Sequence, residues 1–223
     1  MTISRTLIAA TLASLLAACS SGPPVPDWKM NAQSSIERFE AAYLTGRTLV
    51  EQTEFQRARS QVAGTGKVDL IARVELLRCA TRVASLAYEP CTGFDVLKED
   101  AGTVDRAYAA WLAGTAQADD IALLPATQRA VAAAASDTQA ASAAAAIKEP
   151  LAKLVAAGVL LRANRATPAL LEMAVATASD QGWRRPLLAW LGVQRLRAQQ
   201  AGDAQEAQRI ARRMALVGEP PAP

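Results

Sequence analysis

The chain of 223 residues carries 24 basic and 21 acidic side chains and no histidine, with 51% hydrophobic residues but only 4% aromatic ones. The absence of histidine removes the commonest general base, the Ser-His-Asp triad and histidine metal ligation together. Much of the apolar content is alanine, the best helix former and a small packing residue, so the composition favours closely packed helices over a large aromatic core.

Arg5 precedes an apolar run from Leu7 to Leu16. That run is too short to cross a bilayer, which takes about 20 apolar residues, but it suits a secretory signal. It ends in Leu16-Ala17-Ala18-Cys19, and on this four-residue lipobox the chain resembles the bacterial lipoproteins. The resemblance implies cleavage of residues 1–18, a diacylglyceryl thioether on Cys19 and an acylated amino group. Several acyl chains hold a protein far more firmly than one, at roughly 0.8 kcal/mol per buried CH₂. Ser20, in place of aspartate after the lipidated cysteine, implies the periplasmic side of the outer membrane, with the inner membrane as the alternative. Residues 19–34 contain Pro23, Pro24 and Pro26 and are expected to form the anchor and an extended leash. Trp28 on that leash has no obvious core to join; docking on the body and entry into the headgroup region both stay open.

Residues 35–217 read as one all-helical domain of stacked antiparallel hairpins. Ser34 with Glu37 has the spacing of a capping box, and Ile36, Phe39, Tyr43 and Leu44 follow at helical intervals, which predicts a helix from about Ser35. A second helix is expected from Arg47 to Val62, with Phe55 and Ala58 inward, stopped by Gly64-Thr65-Gly66. Ile71, Val74, Leu77 and Leu86 form an apolar stripe over Val68 to Ala87. Thr103 opens a helix that ends at Gly114. Pro125 opens a long alanine-rich segment extending to Pro150, where a further helix begins with proline in its first turn. Thr167-Pro168 starts the next, Gly182 stops it, and Pro186 starts another. Asp203 with Glu206 begins a last helix that closes at Gly218, leaving a Pro-rich tail over 218–223.

The segments repeat internally. Leu154, Gly158 and Val159 recur as Leu188, Gly192 and Val193, a spacing of 34, and Ala41-Ala42-Tyr43-Leu44 with Gly46 recurs as Ala109-Ala110-Trp111-Leu112 with Gly114. With Gly192 on the glycine of the first repeat helix, Leu191 on its leucine, and Ala204 and Ala211 on small positions of the second, the C-terminal part resembles the tetratricopeptide repeats. Arg195, Gln208 and Leu216 depart from the tyrosine, aromatic and proline of that pattern. The resemblance implies an α-solenoid-like, elongated stack. Hairpins of this kind cannot bury their apolar faces alone and so stack on their neighbours.

Cys79 and Cys91 are the cysteines left after Cys19. In the oxidising compartment that the lipobox implies, a chain turning back at Pro90 brings them within reach, which predicts a disulfide worth about 2 to 3 kcal/mol. Two cysteines without histidine make a poor metal set, and no metal or other cofactor is expected. Gly64-Thr65-Gly66-Lys67 lacks the earlier glycine of a phosphate-binding loop, with Gln61 in its place, and reads as a helix stop. Glu99-Asp100 and Asp119-Asp120 are adjacent carboxylates in stretches that look like solvated loops. Trp111, Trp183 and Trp190 fit core positions better than a ligand groove.

Charge is uneven, with a surplus of five positive charges over residues 148–223 against a deficit of three over residues 27–147. Arg184, Arg185, Arg195 and Arg212 are the candidate contact residues for a partner, set against the reading of a solvated arginine-rich face. The function expected is a lipid-anchored, periplasm-facing scaffold or adaptor binding an envelope protein in assembly or secretion, without nucleic acid as a partner. The alternatives are a peptidoglycan-acting enzyme using carboxylates and a lipid- or glycan-binding lipoprotein.

Overall fold

A computed structural model describes residues 24–218; the expected signal segment 1–18, Cys19 and residues 219–223 lie outside them. Every regular element among the described residues is helical. The helices are α1 (Asp27–Leu44), α2 (Thr48–Ala63), α3 (Val68–Ala84), the single-turn α4 (Thr92–Asp95) and α5 (Thr103–Ala113). After a 3₁₀ segment at Ala118–Leu123 come α6 (Ala126–Ala132), α7 (Asp137–Ala146), α8 (Pro150–Arg162), α9 (Pro168–Asp180), α10 (Arg184–Gln200) and α11 (Ala204–Gly218).

The chain folds as a stack of helical hairpins in one domain. Neighbours in sequence pack together, as α1 with α2, α6 with α7, α9 with α10 and α10 with α11. Contacts between distant parts include α3 against α8 and α1 against α10. The larger core gathers Leu76, Val83, Leu112, Leu154, Leu160, Leu170 and Trp190 around the α3–α8 pair. A smaller one lies under the first hairpin, where Phe39 and Phe55 meet edge to face at 5.7 Å above Ala58, Val62 and Val74. Aromatic pairs in this geometry add about 0.5–1.5 kcal/mol beyond their burial.

The first helix starts at Asp27 and not near Ser35, so residues 27–34 of the expected leash are helical. Pro26 sits at the cap position and Asp27 places a carboxylate in the first turn, where the helix dipole favours negative charge. Ser34 is then mid-helix and caps nothing: its Oγ accepts from Arg38 Nη1 at 2.6 Å. Trp28 is half-buried on the smaller core. The third helix stops at Ala84, three residues early, because Leu86 turns to a left-handed φ of 59°. The alanine-rich segment from Pro125 is two helices, since Ser136 caps the second by accepting from Gln139 N–H at 3.2 Å. Helix α4 and the 3₁₀ segment have no counterpart in the expected elements; both are too short for a periodic signal.

Both internal repeats have a physical meaning. Ala41–Gly46 and Ala109–Gly114 are helix ends closed alike: Arg47 N–H donates to Ala42 O at 2.7 Å and Thr115 N–H to Ala110 O at 2.9 Å, each across a left-handed glycine. Gly158 marks a close helix crossing, where any Cβ would collide with the carbonyl of Val83. Gly192 has more room, with Met214 Cε at 4.0 Å from a Cβ position.

The first three helices are joined by buried carboxylates that take arginines from a neighbouring helix, Glu54 receiving one from its own helix as well. Glu51 receives Arg78 Nε at 2.7 Å, Glu75 receives Arg59 Nε at 2.8 Å, and Glu54 receives both Arg38 and Arg57. The Arg38 guanidinium holds the Glu54 carboxyl below its ordinary range. A Cβ at Gly93 would fall on the Glu75 carboxyl group, which would have to move aside.

Candidate partner-binding surface

Helices α10 and α11 form the terminal hairpin. Asp203 caps the second helix, its Oδ1 accepting from Glu206 N–H at 2.9 Å, as the spacing of these two residues predicts. Between the end of α10 and the start of α11 lies a groove of about 370 Å³ lined by Arg195, Gln199, Ala204, Ala207, Gln208 and Ala211. The three alanines recur on one face of α11 and give the groove its depth, while Arg195, Gln199 and Gln208 bring polar groups to it. Leu196 and Leu216 are exposed elsewhere on the same two helices.

The four arginines singled out from the sequence separate into two pairs. Arg184 donates to the carbonyls of Val217 and Gly218 at 3.0 and 3.1 Å, satisfying the C-terminal end of α11. Arg185 lies 4.1 Å from the centroid of the Tyr43 ring and donates to Thr48 Oγ1 at 2.9 Å. Both therefore tie elements of the fold together. Arg195 and Arg212 are exposed, and among the described residues neither makes an ion pair or a hydrogen bond. The other arginines of this hairpin are engaged: Arg197 with Ala166 O, Arg209 with Glu206, and Arg213 with Ser179. Gln199, Gln208, Ala207, Leu196 and Leu216 were not among the expected residues. The alanine spacing on α11 was the signal that could have found them.

Cys79 and Cys91 form the expected disulfide, with their Cα atoms 5.9 Å apart. It pins the Tyr88–Gly93 turn to α3, and Tyr88 extends that attachment by donating its hydroxyl to Gly158 O at 2.8 Å. Trp111 and Trp190 are core residues whose indole N–H groups reach Gln128 Oε1 at 3.1 Å and Ala84 O at 3.0 Å; Trp183 is half-buried.

The adjacent carboxylates are separate surface features. Glu99 and Asp100 lie exposed after α4, and Asp120 accepts from Gln117 N–H at 2.8 Å as a cap of the 3₁₀ segment. The most perturbed carboxyl group is elsewhere: burial, reinforced by the charges of Glu149 and Glu37, pushes Glu40 on α1 up to about 7. Burial also raises Tyr108 on α5, with the charges of Glu40 and Glu149 acting in the same direction. Glu149 caps α8 by accepting from Leu151 and Ala152 N–H. Tyr108 also lines an apolar groove of about 260 Å³ with Leu76, Leu77, Val104 and Pro125, beside the Arg73–Asp105 ion pair.

Among the described residues no cluster of three or more acidic, cysteine or histidine side chains could hold a metal ion, and no helix is long and apolar enough to cross a membrane. No family model matches the chain, and neither a curated protein nor a solved structure is significantly similar to it.

Proposed function

We propose that this protein is a bacterial lipoprotein, anchored through Cys19 to the periplasmic side of the outer membrane, that acts as an adaptor for an envelope protein in assembly or secretion. The lipobox Leu16-Ala17-Ala18-Cys19 and Ser20 support the anchoring and the location. The observation that carries the binding role is the terminal hairpin, where Arg195 lines a groove and exposed Arg212 follows Ala211 of its lining; among the described residues neither arginine is paired, while the neighbouring arginines are engaged within the fold. Stacked hairpins of tetratricopeptide type present such surfaces to peptides and partner proteins. The chemistry fits an acidic segment with small apolar side chains, anchored by Arg195 and Arg212.

The test is crosslinking of the full-length protein in growing cells, comparing wild type, a Cys19→Ala form and an Arg195→Glu/Arg212→Glu form. One or two envelope proteins captured by wild type and lost on charge reversal would support the adaptor reading. Undiminished capture by the charge-reversed protein, with its helical content intact, would sink it.

The apolar groove beside Tyr108 favours a second reading, a lipoprotein that binds a lipid acyl chain. That reading predicts lipid recovered with the purified protein and lost on Val104→Glu, a change at an exposed rim position.

A further inference from the structure

The N-terminal end of α1 presents apolar side chains to solvent close to the proposed lipid attachment. Val25 and Met30 are each 52% exposed. They occupy the positions before the cap and in the second turn where a hydrophobic staple forms, which explains why they lie together; half of each still faces outward. They share a groove with Lys29 and Gln33. On the opposite side of the same first turn, Trp28 borders a groove formed by the α2–α3 turn at Ser60, Gly64 and Lys67.

Chain length restricts what can cover this patch. Val25 lies six residue steps after Cys19, and an extended chain spans at most about 3.3–3.6 Å per residue, so Val25 stays within roughly 20 Å of the anchored residue. Lys29 and Lys67 contribute positive charge, and Asp27 and Glu37 offset it, so apolar and indole groups dominate the contact and neutral headgroups suffice. An amphipathic indole with one edge on the protein core suits the bilayer interface.

We infer that Val25, Trp28 and Met30 form a membrane-contact surface that rests in the headgroup region and fixes the orientation of the helical body on the bilayer. This inference depends on the anchoring of Cys19 proposed above. Tyr43, where the last hairpin meets the first, lies about 22 Å along α1 from Trp28 at 1.5 Å per residue, so the contact directs that junction away from the lipid.

The experiment uses the full-length lipoprotein reconstituted in phosphatidylcholine vesicles whose acyl chains carry bromine near the headgroup, with tryptophan emission as the readout. Bromine should remove up to about one quarter of the emission, the share of one tryptophan in four. This quenching should disappear in Trp28→Phe and fall sharply in Val25→Glu/Met30→Glu, with helical content unchanged. Mass measurement of the same preparation separates the two ideas. Absence of acyl chains on Cys19 would overturn both the anchor and the contact surface. Acylated protein with no quenching, or with quenching that persists in Trp28→Phe, would overturn the contact surface alone.

Discussion

The guanidinium of Arg185 lies 4.1 Å from the ring centroid of Tyr43, so the start of α10 is held against the end of α1. Arg82 of α3 approaches the same ring at 5.1 Å and also reaches Glu51, so three parts of the chain converge on one aromatic side chain. This junction joins the first hairpin to the last. Removing the cation–π contact and the Thr48 hydrogen bond with Arg185→Ala should cost about 1–2 kcal/mol. Urea denaturation would measure it. Crosslinking to the partner should persist, because Arg185 serves the fold and not the groove; loss of crosslinking with unchanged stability would reverse that assignment.

The α3–α8 crossing tolerates no side chain at Gly158. Ala there would collide with the Val83 carbonyl, which is backbone and cannot rotate away, so the helices must separate. Gly158→Ala should destabilise by about 1–3 kcal/mol despite the better helix propensity of alanine. A denaturation midpoint equal to or above wild type would show that the crossing has slack enough to accept a methyl group. Gly192→Ala, with only ordinary contact to Met214, is the matched control and should be close to neutral.

The disulfide closes a loop between residues 12 apart. Restriction of the unfolded chain by so short a loop contributes about 3 kcal/mol. Thermal unfolding should therefore occur at a lower temperature with a thiol reductant present. The Cys79→Ala/Cys91→Ala protein should show the same lowering and no further response to reductant.

Glu40 gives the fold a pH dependence of defined sign. Its carboxyl is pushed up to about 7 in the folded protein from an ordinary value of 4.5, so the folded state holds the proton more tightly than the unfolded chain. The stabilisation this gives is complete below about pH 4.5, declines as pH rises and is gone above about pH 7. Glu40→Gln should match wild type near pH 4 and exceed it above pH 7 by up to about 3 kcal/mol, since each tenfold difference in proton affinity between the two states is worth about 1.4 kcal/mol. Denaturation midpoints at pH 4, 6 and 8 would check this, and a difference independent of pH would refute the burial argument.

Local chemistry determined most element boundaries. Prolines at 150 and 168 begin helices α8 and α9, and the stops at Gly114 and Gly182 and the Asp203 cap stand where the sequence places them. These signals work because a cap or a left-handed turn involves only a few consecutive residues. The Cys79–Cys91 bridge was legible for the same reason, since one turn brings its two ends together. The early start of α1 was hidden because the three prolines suggested an extended leash, whereas the last of them sits just before the helix.

Tertiary structure alone decided which charges remain available. Arg184, Arg185, Arg195 and Arg212 are equivalent as sequence, yet two meet the α11 carbonyls and Tyr43 while two meet solvent. The burial of Glu51, Glu54, Glu75 and Asp105 follows the same logic, since each depends on an arginine 16 to 32 residues away or on another helix. Helix periodicity says which residues share a face; it carries no information on which helix that face will meet, because that depends on how closely all the hairpins can approach one another. At the α3–α8 crossing, that approach depends on Gly158, the one residue there small enough to let the Val83 carbonyl come so near.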